Sequence, residues 1–405
     1  MKLPKAVQLA LQLLEEAGYE AVVVGGAVRD YLLGKEASDY DISTNARPEE
    51  VKEVFKDYHT LDIGIKHGTV TVFIKGRQIE ITTYRSEKDY EDFRHPKEVV
   101  FEKSLEADLE RRDFTVNAIC YNRGLIDKVG GIADLEAGLI RAIGDPVLRF
   151  KEDPLRILRA LRFAATLDFR IEAGTKAGIF REKELLRKVS NERINLEFSK
   201  LLLGSSAPSV LSEYEAVIRV FLPELPADYR NFFFAFREFS ELTSRIAALL
   251  WGMDPLQAEA ALKRLKYSKR EVCRVVFLLE NKDLTIKADE IEIGKLLKDT
   301  ELGDLRKLVE MQKAFSVSQA ETDRLERILS ILYNLDPNKC LRLKDLAVSG
   351  RDLLAMGYPE GAGIRILLDE LLDLVIEGKL DNEKEELLGY LEKKHPPQGK
   401  MLAKR

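Results

Sequence analysis

The hydrophobic rhythm of this 405-residue chain changes once, near residue 135. Upstream of that point, short apolar and β-branched runs alternate with brief helical segments. Downstream, the apolar spacing is helical almost throughout. Such a chain is expected to be α+β, with a small mixed α/β head followed by a long all-helical remainder. Its length exceeds one ordinary core, so several domains are expected. The expected segments are 1–140, 141–200, 201–265 and 266–405.

Within the head, residues 5–17 repeat apolar residues at helical spacing and stop at Gly18, and Ala21–Val24 fits a buried strand. Val28–Leu33 fits a helix, Ser38–Ser43 a strand, and Pro48–Phe55 a helix opened by Arg47 or Asn45. Thr69–Ile74 and Gln78–Tyr84 are rich in β-branched residues, and Lys75-Gly76-Arg77 between them supplies the turn of a hairpin. Residues 85–100 are densely charged without a clean period and read as a mobile loop. The strongest later helices are expected at Leu155–Leu167, Asn191–Leu203, Phe232–Leu250, Pro255–Leu265 and Gly363–Glu377, and 395–405 reads as a frayed tail.

Composition narrows the class. Hydrophobic content of 45% and charged content of 33% describe a soluble globular protein. No signal peptide and no membrane-spanning run is read from the sequence, so a cytoplasmic location and no membrane partner are expected. Cys120, Cys273 and Cys340 lie far apart without metal-ligand spacing and read as buried thiols in a reducing compartment. The net charge of −5 argues mildly against a nucleic-acid partner. A local excess of Lys and Arg over residues 141–200 still leaves room for one.

The chemistry is concentrated in a few clusters. Asp39 and Asp41 are two apart, and on a strand such residues point the same way. Adjacent carboxylates repel unless a cation lies between them, and magnesium suits all-oxygen ligands. Upstream, Gly25-Gly26-Ala27-Val28-Arg29-Asp30 places a glycine pair ahead of a helix, where backbone amides can approach a phosphate. Glu80, a carboxylate between two isoleucines of the hairpin, is a third ligand candidate. Together these residues suggest a metal-dependent enzyme acting on a nucleoside triphosphate. A lone acidic pair is more often a solvated strand edge.

Two more clusters follow. In Arg111-Arg112-Asp113-Phe114-Thr115-Val116-Asn117, Arg112 can meet triphosphate oxygens through both arms of its fork, Asp113 can accept from a ribose hydroxyl, and Asn117 can donate and accept. A salt-bridged helix start is the plainer reading. In Glu152-Asp153-Pro154-Leu155-Arg156, Asp153 and Arg156 fall near one another at a helix start, with Arg159 and Arg162 at three-residue steps beyond. A fixed Asp–Arg pair offers the donors and acceptors that a base edge needs; an ordinary i,i+3 ion pair is the alternative.

In this order the motifs resemble the class II CCA-adding tRNA nucleotidyltransferases and their poly(A) polymerase relatives, within the polymerase β-like superfamily. The matching pieces are GGAVRDYLLG with Asp39/Asp41, RRDFTVNA at 111–118, GGIADLEAGLIR at 130–141, EDPLRILRALRF at 152–163 and SNERINLEFSKLLLG at 190–204. Residues 346–388 look like the family's tail helices. The resemblance implies a catalytic palm, then neck, body and tail that grip tRNA. It implies two magnesium ions (Mg2+) on Asp39, Asp41 and Glu80, and a triphosphate held by Gly25, Gly26 and Arg29. It implies Arg112 and Asp113 on triphosphate and ribose, with Asn117, Arg159 and Arg162 also in the nucleotide site. Asp153 and Arg156 are implied to read cytosine and then adenine, and residues 85–100 to help switch between them. The implied reaction adds C, C and A to the tRNA 3′ end from CTP and ATP, releasing pyrophosphate without a nucleic-acid template. An A-adding-only enzyme or a poly(A) polymerase is the alternative. Two features bear on it: 62–69 lacks the basic stretch of bacterial poly(A) polymerases, and Asp89–Arg94 looks like a complete loop.

Overall fold

Val22, Val24, Leu109, Ala118, Cys120 and Ile143 close one hydrophobic cluster in the first third of the chain, and the elements that carry them define the head. The computed structural model describes residues 1–37, 39–62, 64–65, 68–90 and 96–396, with backbone only at 87–90 and 96–99. The head sheet has seven strands in the order β3-β4-β5-β2-β1-β8-β9. These are β1 (Ala21–Val24), β2 (Asp41–Thr44), β3 (His59–Leu61), β4 (Thr69–Ile74), β5 (Arg77–Thr83), β8 (Cys120–Asn122) and β9 (Gly124–Ile126). All four residues of β1 are buried, as an AVVV run between two neighbouring strands requires. Helix α1 (Lys5–Glu16) packs on β1 through its apolar stripe. Helix α2 (Gly26–Leu32) links β1 to β2, and α3 (Pro48–Val54) follows β2.

The predicted hairpin forms as β4 and β5, in a register that sets Ile74 opposite Arg77. Its turn is two residues, Lys75 (φ 48°) and Gly76 (φ 75°), both on the positive side as a twist-matched hairpin turn demands. β5 alternates, with Ile79, Ile81 and Thr83 buried and Gln78 and Glu80 exposed. It then pairs with β2 in parallel, placing Asp41 beside Glu80.

Three expectations need correction. The strand expected from Ser38 begins at Asp41, so Asp39 lies just outside it; Ser38 is outside the described residues. The segment 85–100, expected as a loop, contains an antiparallel pair, β6 (Arg85–Tyr90) and β7 (Pro96–Phe101). Its charged residues mask the two-residue period that marks a strand with one buried face. The segment expected as one helix over 232–250 is broken into Ala235–Glu238 and Leu242–Leu249. Arg245 donates to the carbonyls of Phe239 (2.6 Å) and Phe236 (2.9 Å) at that break, capping the shorter helix. Residues 91–94 of the 89–94 segment, several residues of 62–69 and most of the C-terminal tail lie outside the described residues.

Helices α4 (Leu105–Glu110) and α5 (Gly131–Glu136) complete the head, and α6 (Pro146–Glu152), α7 (Leu155–Leu167), α8 (Ala173–Glu182) and α9 (Asn191–Leu202) follow it. The chain divides into two compact units, one of residues 1–230 and 260–267, the other of 231–259 and 268–405. The second is helical. Within the first, the last strand of the seven-stranded sheet ends at Ile126. Cys120 and Cys340 are buried, but Cys273 is exposed. It sits on the outer face of Lys269–Glu280, whose buried stripe is Val272, Val275, Leu278 and Leu279. Among the described residues no helix is long and apolar enough to cross a membrane.

Candidate active site

The edge between β2 and β5 carries the acidic residues. Asp41 and Glu80 are direct partners across the parallel pair, and both stay open to solvent. Asp39 is also exposed, with buried Tyr40 between it and Asp41, so the alternation of faces persists ahead of the strand. The pKa of Asp41 is pushed up to about 6. Loss of solvation comes first and the charge of Glu80 second, Arg112 pulls the other way, and Asp39 adds a smaller push. The open surface at Asp41 tempers the desolvation, so the like charge of Glu80 is what a bound cation would relieve. Among the described residues no three carboxylate, His or Cys groups already converge as a finished metal cage. The donors are the hard oxygens that magnesium prefers, and two of them are paired across adjacent interior strands of the sheet. The residues present fit that ion.

Gly25 faces this edge. Its φ of 82° favours glycine. A Cβ there would stand 3.9 Å from Asp41 Oδ2, 3.9 Å from the carbonyl oxygen of Asn117 and 4.0 Å from Arg112 Nη1. Backbone, carboxylate and guanidinium therefore meet at one spot, with Gly26 opening α2 beside it.

Arg29, on α2, has its Nη2 3.6 Å from the point a Gly26 Cβ would occupy. It is buried, donates to Asn117 Oδ1 (2.6 Å) and Asp30 Oδ1, and lies over the Phe163 ring at 5.2 Å. Asn117 donates to Asp113 Oδ1 (3.2 Å), and Arg159 donates twice to Asp113 Oδ2 (2.8 and 2.6 Å). Burial works to raise the Asp113 pKa, but Arg159, Asn117 and the Phe114 amide hold it down at about 2. Glu197 on α9 takes ion contacts from Arg162 (2.5 Å) and Arg159 (3.5 Å). Arg162 also covers the Phe163 ring at 3.8 Å. A continuous seam thus runs from α2 through the 113–117 turn to α7 and α9.

The two proposed base readers are held separately. Asp153 Oδ1 accepts from the Leu155 amide and Oδ2 from Arg193 (2.7 Å), while Arg156 is buried against Glu152 (2.5 Å) and donates to the carbonyls of Arg149 and Arg111. Three charged partners of these residues escaped the sequence reading: Asp108, Arg193 and Glu197. Asp108 is fully buried, receives Arg111 and Arg112, and stands three and four residues before them on α4. That spacing was visible. The partners of Arg193 and Glu197 are some forty residues away, and no local signal marks them.

The family models that match are the Poly A polymerase head domain over 21–141, the RNA and SrmB-binding site of polymerase A over 168–227, and tRNA nucleotidyltransferase domain 2 over 237–391. The chain is 37% identical to a CCA-adding enzyme of Enterococcus faecalis, over 93% of this chain and 92% of that protein. It is 38% identical to one of Bacillus pumilus, over 94% and 95%. A solved Bacillus stearothermophilus CCA-adding enzyme in complex with CTP superposes with a TM-score of 0.80 at 29% identity, covering all of both chains. A Thermotoga maritima CCA-adding enzyme complexed with tRNA shares the fold, with a TM-score of 0.65 at 24% identity over 97% and 96%. With the head, the helical remainder and the ordered motifs all matched across nearly the whole length, this chain belongs to the bacterial class II CCA-adding tRNA nucleotidyltransferase family.

Proposed function

We propose that this chain adds C, C and A to the 3′ end of tRNA, using CTP and ATP and releasing pyrophosphate, without a nucleic-acid template. The observation that carries the reading is the parallel register of β2 and β5, which sets Asp41 beside Glu80 and opposite Gly25 and Arg112. Relatives named for CCA addition match over more than nine-tenths of their own length, which supports the complete reaction over an A-only or poly(A) activity.

In this reading Asp39, Asp41 and Glu80 would hold two magnesium ions. Bound there, magnesium supplies a lowered pKa for the attacking hydroxyl and charge neutralisation at the pyrophosphate. The chain's own residues position the reactants. Gly25 and Gly26 leave room for backbone approach to phosphate, and Arg112 offers a fork to the triphosphate. Asp113 is kept ionised by Arg159 and can accept from a ribose hydroxyl, although Arg159 and Asn117 already compete for its oxygens. Arg29 would join Gly25 and Gly26 at the triphosphate, and Asn117, Arg159 and Arg162 would line the nucleotide site, all four also tied into the seam. Asp153 and Arg156 would read the base edge, each oriented by its own partner. Segments 1–140, 141–200, 201–265 and 266–405 would act as palm, neck, body and tail on tRNA, in the cytoplasm.

The test is incorporation of labelled CTP and ATP into tRNA ending at the discriminator base, at CC and at CCA. Two C residues and one A on the shortest substrate, and nothing on the completed one, are expected. Open-ended A tails, or A addition restricted to tRNA ending in CC, would replace this reading with one of the alternatives.

A further inference from the structure

Arg112 is approached from two sides. Its Nη2 donates to Ser43 Oγ (2.9 Å) and to Asp108 Oδ2 (3.0 Å), while its Nη1 lies 4.0 Å from the point a Gly25 Cβ would occupy, on the side of Asp41 Oδ2. Ser43 stands two residues beyond Asp41 on β2, hence on the same side of the strand. Asp108 has no exposed surface, and its other oxygen accepts from Arg111 (2.9 and 2.6 Å). Its neighbour Leu109 is locked into the cluster with Val22, Val24 and Cys120, so the carboxylate is anchored to the sheet by packing as well as by charge. Burial works to raise its pKa, but Arg112 and Arg111 together hold it below the ordinary range, so it is ionised.

A guanidinium is planar, so fixing one nitrogen from behind fixes the direction of the rest of the fork. We infer that Asp108, with Ser43, is a positioning residue for nucleotidyl transfer, pinning the rear of Arg112 so that its forward nitrogen faces the Gly25–Asp41 cleft where the triphosphate enters. The inference rests on the reading of Arg112 as a triphosphate contact. It assigns Asp108 a part in the reaction without direct touch on substrate. Without the clamp, Arg112 keeps its charge but samples several rotamers, and each phosphate encounter must first order it.

The experiment uses the full-length protein with Asp108→Asn, Arg112→Ala and the two combined, assayed for ATP addition to tRNA ending in CC. Each single substitution is expected to raise the KM for ATP about tenfold, with a smaller change in kcat and an unchanged Kd for tRNA. The double variant is expected to be no worse than Arg112→Ala alone, because Asp108 acts through that side chain. Multiplying penalties in the double variant, or a KM for Asp108→Asn within about twofold of wild type, would overturn the inference while leaving Arg112 its role. An Arg112→Ala protein with unchanged KM would instead remove the triphosphate reading, and the inference with it. Should Asp108→Asn fail to fold, Ser43→Ala loosens the same nitrogen. A severalfold KM rise that vanishes on the Arg112→Ala background supports the clamp, and no rise or a multiplying one overturns it.

Discussion

The acidic edge of the head and the arginine seam behind it treat charge in opposite ways. At the edge, Asp41 and Glu80 stand side by side, exposed, and loss of solvation together with the charge of Glu80 raises the Asp41 pKa. In the seam, Arg29, Asn117, Asp113, Arg159, Glu197 and Arg162 form a partly buried chain in which each charge meets a partner, and the Asp113 pKa falls. Carboxylates left uncompensated by the protein are available to something outside it. Carboxylates matched by arginines are held in fixed positions by the protein.

That contrast can be broken experimentally. The largest effect is expected from Asp41→Ala, which should reduce nucleotide incorporation by roughly a thousandfold or more while leaving tRNA binding and the thermal midpoint essentially intact. Filter binding and calorimetry on the same preparation check it, and a large loss of stability would place Asp41 among the carboxylates the protein holds in position. Asp113→Ala should do the reverse at the level of folding. Leaving Arg159 short of its main partner is expected to cost about 2–3 kcal/mol in urea unfolding, moderated by Glu197.

A sharper version concerns the base readers. Asp153→Ala is expected to relax discrimination against UTP and GTP by about tenfold, since a charge-assisted hydrogen bond is worth a little over one such factor. Arg193→Ala, which touches Asp153 from α9, should reproduce part of that loss in competition assays. Unchanged selectivity in both would confine the Asp153–Arg193 pair to structure.

The smallest effect is on pH dependence. The folded pKa of Asp113, about 2, lies below its ordinary value of 3.8. Its contribution to stability is therefore complete above the ordinary value and is lost as pH falls through the folded one. The stability gap between wild type and Asp113→Asn should stay constant from neutral pH down to about 4 and close toward 2. A gap that closes already between pH 7 and 5 would contradict the seam's electrostatics.

Much of the fold was legible because its signals are local. The β4–β5 hairpin announces itself by β-branched residues around Lys75-Gly76, and α7 by its apolar stripe and its proline start. The β6–β7 pair was missed because its charged sequence hides the alternation, and the 232–250 helix was overdrawn because five phenylalanines crowd all sides of one short stretch. At the candidate site, Asp41, Glu80, Arg112 and Asp113 stand out by residue type and spacing. The contact of Asp108 with Arg112 does not, although Asp108 stands four residues earlier, since nothing local says that Asp108 is fully buried.

By itself the sequence determined the kinds of element, the turn chemistry and the inventory of reactive groups, all of which depend on neighbours a few positions apart. Tertiary structure decided which groups meet. The parallel pairing that brings Asp41 to Glu80 spans 39 positions, and Asp153 finds Arg193 across 40. Such partnerships depend on strand order and helix packing, which minimise exposed apolar surface over the entire unit and leave no periodic trace in the chain.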